Sequence, residues 1–269
     1  MIRKIVFLTV MALVVVVNFS CKNSQSEIVS GSDSLSGEVV TIIDATDEIS
    51  DGTLPDFSSV EAGTQRKEKF FAFMRPMIEV ENEKVLQNRN FILKCYSFFN
   101  EGKEIDAESS IRLKNIAHQY KLKKTVFSSE TDYKNILLRV DVVPVDLALV
   151  QAANESAWGT SYFATKGNNI FGQWCFRKGC GMVPRNRPEG ESHEVAVFNS
   201  VNESIAAYIH NLNTHNAYSY FRNLRYEYHI EKKPVDANKL AIGLQKYSGI
   251  GIKYVETLRI MLRNNKGIL

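Results

Sequence analysis

Residues 148–159 read Ala148-Leu149-Val150-Gln151-Ala152-Ala153-Asn154-Glu155-Ser156-Ala157-Trp158-Gly159. Leu147, Val150, Ala153 and Ala157 recur at helical spacing, so they share a face that can turn to a core. Pro144 suits a first helical turn, where its missing N–H would have been unpaired anyway, and Asp146 sets negative charge near the positive end of the helix dipole. Gly159 can end the helix. The pattern leaves one carboxylate, Glu155, at the end of an apolar helix, just ahead of an aromatic residue and a glycine. Burial among apolar groups disfavours the charged form of a carboxyl and raises its pKa, which is what a general acid needs to hold its proton near neutral pH. Glu155 is therefore a candidate acid; a solvated glutamate on an amphipathic helix is the alternative.

Downstream comes Gly167-Asn168-Asn169-Ile170-Phe171-Gly172-Gln173-Trp174, a turn rich in side-chain amides and aromatics. Amides suit sugar hydroxyl and acetamido groups, and rings suit the apolar faces of sugars. A turn-forming cluster, Asn186-Arg187-Pro188-Glu189-Gly190, separates Met182–Arg185 from Ser192–Phe198 and predicts a β-hairpin. In its second strand Ser192, Glu194, Ala196 and Phe198 share one face, with His193, Val195 and Val197 on the other. Ser200-Val201-Asn202-Glu203 then forms a capping box that assigns Glu203 a structural role, followed by a buried helix face of Ile205, Tyr208, Ile209 and Leu212.

The order Glu-Ser-x-Trp-Gly, Gly-Asn-Asn-x-Phe-Gly, His193-Glu194-Val195 and Phe198-Asn199-Ser200-Val201-Asn202-Glu203-Ser204 resembles the endo-β-N-acetylglucosaminidases of glycoside hydrolase family 73. The segment Phe171 to Gly181, with its two cysteines, and Asn211-Leu212-Asn213-Thr214-His215 are similar to the Bax-type branch. The resemblance implies an α+β, mainly α fold: a lysozyme-like glucosaminidase domain with a small β-hairpin lobe, preceded by a helical subdomain. It implies cleavage of peptidoglycan glycan strands between N-acetylglucosamine and N-acetylmuramic acid, with Glu155 matching the family's acid and Glu194 the glutamate of the β-lobe. A solvated residue on a hairpin edge is the other reading of Glu194. The stretch Gly243-Leu244-Gln245-Lys246-Tyr247-Ser248 resembles the part that contributes a cleft tyrosine, with Tyr247 first and Tyr254 second, and core packing open for both. Trp158, Asn168, Asn169, Phe171, Gln173, Trp174 and Tyr254 are the expected substrate contacts.

Three mechanisms stay open on these residues. Carboxyls about 5–5.5 Å apart imply a retaining reaction and about 6.5–9.5 Å an inverting one; a substrate-assisted route needs only Glu155 and groups that orient the acetamide. Lytic transglycosylase chemistry and a non-catalytic wall-binding lipoprotein are the alternatives in other classes.

At the front, Arg3 and Lys4 precede an uncharged run from Ile5 to Val17 that is too short for a membrane span and fits a signal-peptide core. It ends at Asn18-Phe19-Ser20-Cys21, similar to a lipoprotein processing site, although Asn18 stands where leucine is usual. The expectation is a signal peptide over 1–20, lipidation at Cys21, and anchoring in a bacterial membrane facing the periplasm or cell surface. Plain secretion is the alternative. Residues 21–65, with nine acidic side chains against Lys22, read as a disordered acidic tether. The folded remainder carries the basic excess, which suits an anionic wall polymer; no nucleic-acid-binding signature accompanies it.

Phe70, Phe71, Met74, Met77 and Ile78 recur at spacings of three and four, as do Ile111, Leu113, Ile116, Ala117 and Tyr120, and predict a helical subdomain over 66–140 ahead of a catalytic domain over 141–269. Cys175 and Cys180 are five apart across a glycine-containing loop and can form a small disulfide in an oxidising compartment. The sharper alternative makes Cys175 a peptidase nucleophile with His193 or His215 as base. Cys95, in an apolar helical stretch, reads as a buried free thiol. His210, His215 and His229 show no carboxylate partner at metal-ligand spacing, so neither a metal nor another cofactor is expected. A monomer is the expected state.

Overall fold

The computed structural model describes residues 53–184, 187 and 190–269. The signal-peptide run, Cys21 and the tether up to residue 52 lie outside them, as does Glu189 in the hairpin turn. Among the described residues no helix is long and apolar enough to cross a membrane.

The first folded piece is a single 3-10 turn, Phe57–Ser59, capped by the Asp56 carboxylate, which accepts from the Ser58 N–H at 3.0 Å. Phe57 is buried and meets Phe70 edge-on with ring centroids 5.3 Å apart. The tether expected to reach residue 65 therefore ends earlier, because one aromatic ring and Leu54 find core partners.

The long helix α1 (Thr64–Asn100) buries Phe70, Phe71, Met74, Met77, Ile78, Val85, Ile92 and Cys95 along one stripe, at the spacing that predicted it. It carries Pro76 without breaking. Helices α2 (Ala107–Gln119) and α3 (Glu130–Arg139) follow, each with a side-chain cap: Asp106 accepts from Ser109 N–H, and Ser129 and Asp132 form a reciprocal capping box. Central helix α4 (Val145–Ser156) is buried at every position from Leu147 to Ala153, and packs against α1 and the C-terminal helix α9 (Ile252–Asn264). Short α5 (Tyr162–Gly167), then α6 (Val201–Thr214), α7 (Ser219–Ile230) and α8 (Ala237–Leu240) complete the helical body.

The expected division at residue 140 does not appear. One core cluster runs from Phe57 to Leu262, across the expected boundary. Polar clasps sew the two expected parts together. Asn82 on α1 donates to the Val143 carbonyl at 2.7 Å and accepts from the Val143 N–H at 3.0 Å. Arg89 on α1, which also donates to the carbonyls of Leu137 and Val140, crosses the expected boundary through its ion pair with Asp141. In the same interior Asp141, 2 % exposed, meets Arg225 Nε at 3.2 Å, Arg89 Nη1 at 3.5 Å and His229 Nε2 at 2.7 Å. Burial alone would raise the Asp141 pKa, but Arg225, His229 and Arg89 outweigh it and hold the carboxyl below its usual range. His229 thus has a carboxylate partner after all, 88 residues away in sequence.

The β-lobe is smaller and differently built than a two-stranded hairpin. Strands β1 (Trp174–Cys175), β2 (Gly181–Met182) and β3 (Glu194–Ala196) form a sheet in the order β1-β3-β2, all antiparallel. The expected hairpin survives as β2 and β3, with Met182 opposite Val195, and β1 adds an unforeseen third strand opposite the other edge of β3. Gly181 is required there: a Cβ would sit 2.0 Å from the Val195 carbonyl oxygen.

Candidate active site

Helix α4 delivers Glu155 in its last turn and then stops abruptly. The stop is made by Ala157, whose φ is +50°, followed by Trp158 at +61° and Gly159 at +79°. The helix therefore ends two residues before the glycine expected to end it. Two non-glycine residues in the left-handed region cost free energy, and such strain persists where surrounding contacts over-determine it. Here Trp158 N–H returns to the Ala153 carbonyl at 2.9 Å, and Gly159 N–H donates to Ser156 Oγ at 2.8 Å. Gly159 must lack a side chain, since a Cβ would come within 2.5 Å of the Phe57 ring.

This elbow turns Trp158 away from the sugar contact expected of it. Its ring packs on Phe70 at 5.9 Å and Phe71 at 5.2 Å, with Lys67 Nζ 5.4 Å over its face. Trp158 thus joins α4 to α1.

The Glu155 carboxyl is largely enclosed, and that desolvation pushes its pKa above the ordinary value. Hydrogen bonds from Tyr254 and Asn154 pull the other way without cancelling it. Gly172 stands at the carboxylate's other side: a Cβ built on it would lie 3.4 Å from Glu155 Oε2. Four tyrosines surround the group. Tyr254 from α9 stacks on Tyr247 with centroids 5.6 Å apart, Tyr247 stands 5.9 Å from Tyr218, and Tyr208 of α6 lies 6.4 Å from Tyr247. Tyr247 and Tyr254 are both beside Glu155, and they are also packing residues: Tyr254 is buried and the Tyr247 hydroxyl donates to the Phe171 carbonyl at 2.8 Å.

In front of Gly172 opens a cleft of about 490 Å³. Phe171, Gly172, Gln173, Trp174 and Tyr247 line it, with Lys121 and His215 on the same cavity wall. Gly172 lines the cleft and has Glu155 beside it, while Glu155 itself is not among the lining residues. Trp174, 56 % exposed, stacks on His193 with centroids 4.2 Å apart and planes 9° from parallel, so one face is supported while the residue stays accessible. That arrangement fits a platform for a sugar face.

The amides of the glycine-asparagine turn serve the backbone. Asn169 is buried; its Nδ2 donates to the carbonyls of Gln173 and Ala196, and its Oδ1 accepts from Gln173 N–H. Asn168, left-handed at φ +49°, ends α5 and donates to the Phe198 carbonyl. The Gln173 amide donates to the Ser204 carbonyl. Phe171 is fully buried with its ring 3.8 Å from that of Tyr208. Of the residues expected to touch sugar, Phe171, Gln173 and Trp174 line the cleft, and Trp158, Asn168, Asn169 and Tyr254 are not among its lining residues.

Glu194 is buried, not solvated, and is not among the residues lining the cleft. Its two oxygens accept from Gly179 N–H at 2.9 Å and Gly181 N–H at 2.8 Å, and these bonds lower its pKa. The loop it gathers is closed by the Cys175–Cys180 disulfide. Cys175 therefore has no thiol for the peptidase alternative, and although Glu194 and both sulfurs cluster, the sulfurs are bonded to each other. Cys95 is a buried free thiol, as expected. Glu203 accepts from Asn199 N–H while Ser200 Oγ accepts from Glu203 N–H, a cap displaced by one residue from the expected reach-back. Gln151, which the sequence did not single out, is fully buried and hydrogen-bonded to both Tyr208 and Tyr254.

Comparison with known proteins agrees with the motifs. A family model described as Glucosaminidase, mannosyl-glycoprotein endo-beta-N-acetylglucosaminidase, matches residues 130–267. Protein bax of Escherichia coli is 35% identical over 218 residues, 81% of this chain and 76% of that one. No solved structure matches. With its glutamate-bearing helix, glycine-asparagine turn and small antiparallel lobe all inside or overlapping the matched region, the chain belongs to the glucosaminidase family as a Bax-type member.

Proposed function

We propose that this protein is an exported, lipid-anchored peptidoglycan hydrolase that cleaves the glycan strand between N-acetylglucosamine and N-acetylmuramic acid, with Glu155 as general acid. The observation that carries the reading is the Glu155 carboxyl, raised by desolvation and set behind Gly172 at the wall of a cleft that presents Trp174. A wall-binding module would have no use for a carboxyl whose pKa is raised by burial beside such a wall.

The disposition of Glu194 favours the substrate-assisted route. Neither glutamate is among the cleft's lining residues, but Glu155 lies beside the lining residue Gly172, whereas Glu194 is occupied by two backbone amides. In that route Glu155 gives its proton to the glycosidic oxygen as the bond to the anomeric carbon breaks. The acetamido carbonyl oxygen of the same sugar attacks that carbon from the opposite face, forming an oxazolinium ion. Glu155, now a carboxylate, takes a proton from water as the water oxygen opens the ring, leaving a reducing end. In this reading Tyr247, which lines the cleft, shapes the pocket for the acetamido group, with the buried Tyr254 stacked behind it.

The test is product analysis on purified sacculi digested with the full chain and then reduced with borohydride. Glucosaminitol ends support the proposal. Muraminitol ends would move the cut to the other bond, anhydromuramic ends without new reducing ends would make the enzyme a lytic transglycosylase, and no release would leave a wall-binding protein. Glu155→Gln should bind sacculi and release almost nothing, since a general acid contributes about 10²–10⁴-fold. For the anchor, Cys21→Ser should leave the precursor unprocessed or free the protein from membranes, and unchanged mass and partition would point to plain secretion.

A further inference from the structure

Glu155 does not meet a freely rotating hydroxyl. Tyr208, fully buried on α6, donates its hydroxyl proton to Gln151 Oε1 at 2.5 Å. Gln151, fully buried on α4 one turn before Glu155, donates from Nε2 to the Tyr254 hydroxyl oxygen at 3.0 Å. Tyr254, buried on α9, lies next to Glu155, and the two groups are electrostatically coupled. Each phenol has one proton, and each primary amide has one acceptor end and one donor end. Once Tyr208 uses its proton on the carbonyl end of Gln151, the amide end must face Tyr254. The Tyr254 oxygen is then an acceptor for Gln151, and its own proton is left for the carboxylate. A reversed Gln151 would donate to Tyr208 and take the Tyr254 proton for itself, leaving Glu155 without that donor.

We propose that Gln151 and Tyr208 are positioning residues for Glu155, forming a one-way hydrogen-bond relay that commits the Tyr254 proton to the Glu155 carboxylate. The relay deepens the reading of Glu155 as the acid and rests on it. Its purpose follows from what the acid must do twice. Burial favours the protonated form that starts the reaction, but the same group must then exist as a carboxylate to take a proton from water. A donor held in place stabilises that second form, and a donor that already accepts a hydrogen bond donates more strongly. The titratable groups facing Glu155 are Tyr254 from α9, Tyr208 from α6, and Tyr218 and Tyr247 from the segments after α6 and α8. Burial raises all four above the ordinary tyrosine value, so Glu155 alone among them changes charge in the acid and neutral range.

The experiment reads the carboxyl directly. Full-length protein carrying side-chain ¹³C-glutamate is titrated by NMR, with the Glu155 signal assigned by its loss in Glu155→Gln. Tyr208→Phe keeps the ring stack on Phe171 but frees Gln151 to reverse; it should raise the Glu155 midpoint by roughly one pH unit, the size expected of a hydrogen bond to a charged group. Gln151→Met should shift it in the same direction by less, since Tyr254 keeps its proton but loses its orientation. Tyr254→Phe should raise it too, and adding Tyr208→Phe to that variant should change nothing further. The basic limb of the kcat/KM profile should move with the midpoint. Unchanged midpoints in folded Tyr208→Phe and Gln151→Met, or additive shifts in the double variant, would overturn the relay. Since the titration needs no turnover, a wild-type protein that shows the midpoint shifts but cleaves no glycan would refute the enzymatic reading and leave the relay standing.

Discussion

Gly172 backs onto Glu155 so closely that a single added methyl would lie 3.4 Å from Oε2, at a residue whose φ of +62° already disfavours any side chain. The glycine leaves no side chain between the cleft and Glu155 at this point of the wall. Gly172→Ala should lower kcat on soluble glycan strands by tenfold or more, with a stability loss of about 1–2 kcal/mol from the left-handed backbone. Steady-state kinetics beside a denaturant melt would check it; a variant with native kcat would show that the acid has slack on that side.

Replacing the acid should stabilise the protein, and only over part of the pH range. Because burial raises the Glu155 pKa in the folded state, its stabilising contribution is intact below the unfolded-state value and is lost as pH rises through the folded value, where a charge must be kept buried. Glu155→Gln removes that loss. Its Tm should exceed wild type at neutral pH, and the two curves should converge as pH falls below the ordinary glutamate range. A constant gap at all pH values would mean that the carboxyl is not desolvated in solution.

Glu194→Gln should act on binding more than on chemistry. The carboxylate accepts two backbone N–H bonds, and a glutamine amide would turn a donor toward one of those donors. Its folded pKa is lowered, so its contribution to the lobe is present above the unfolded value and fades as pH falls through the folded one. The expected outcome is a raised KM on sacculi with kcat reduced less than tenfold, against the roughly 10²–10⁴-fold that losing a general base costs. A kcat loss of that larger size, with the lobe still ordered by circular dichroism, would make Glu194 a reacting group.

Asp141→Asn should be among the most damaging changes outside the cleft. It strips the countercharge from Arg225 and Arg89, both buried, and breaking a buried ion cluster on one side costs about 3–5 kcal/mol. Urea midpoints would show it, and activity per folded molecule at low temperature should stay near wild type. Acid should mimic the change, since the pKa of Asp141 is held down by its partners and their support vanishes as pH falls through it.

The parts legible in the sequence were those written locally. Apolar spacing gave α1, α2 and α4, and the end of α4 with its glutamate was visible because a carboxylate in an alanine-rich helix stands out. The Cys175–Cys180 pair was visible from five-residue spacing. What escaped depends on partners far along the chain: Asp141 finds Arg225 and His229 more than 80 residues away, and Gln151 finds Tyr254 at a separation of 103. Asn168 and Asn169 have the chemistry to bind sugar, and nothing in their own neighbourhood reveals that the carbonyls of Phe198 and Ala196 would claim them. The third strand was missed because two residues carry no period.

Phe57 makes the folded body begin before its first long helix. Its ring lies over the elbow behind the acid, in van der Waals range of where a Gly159 side chain would be, and against Phe70, which in turn supports Trp158. A fragment cut to start at Thr64, where α1 begins, would open the back of the strained Ala157-Trp158-Gly159 turn to water. The usable N-terminal limit for any shortened form is thus set by one aromatic ring in an otherwise polar segment, and the segment leading into the domain belongs, physically, to the catalytic helix.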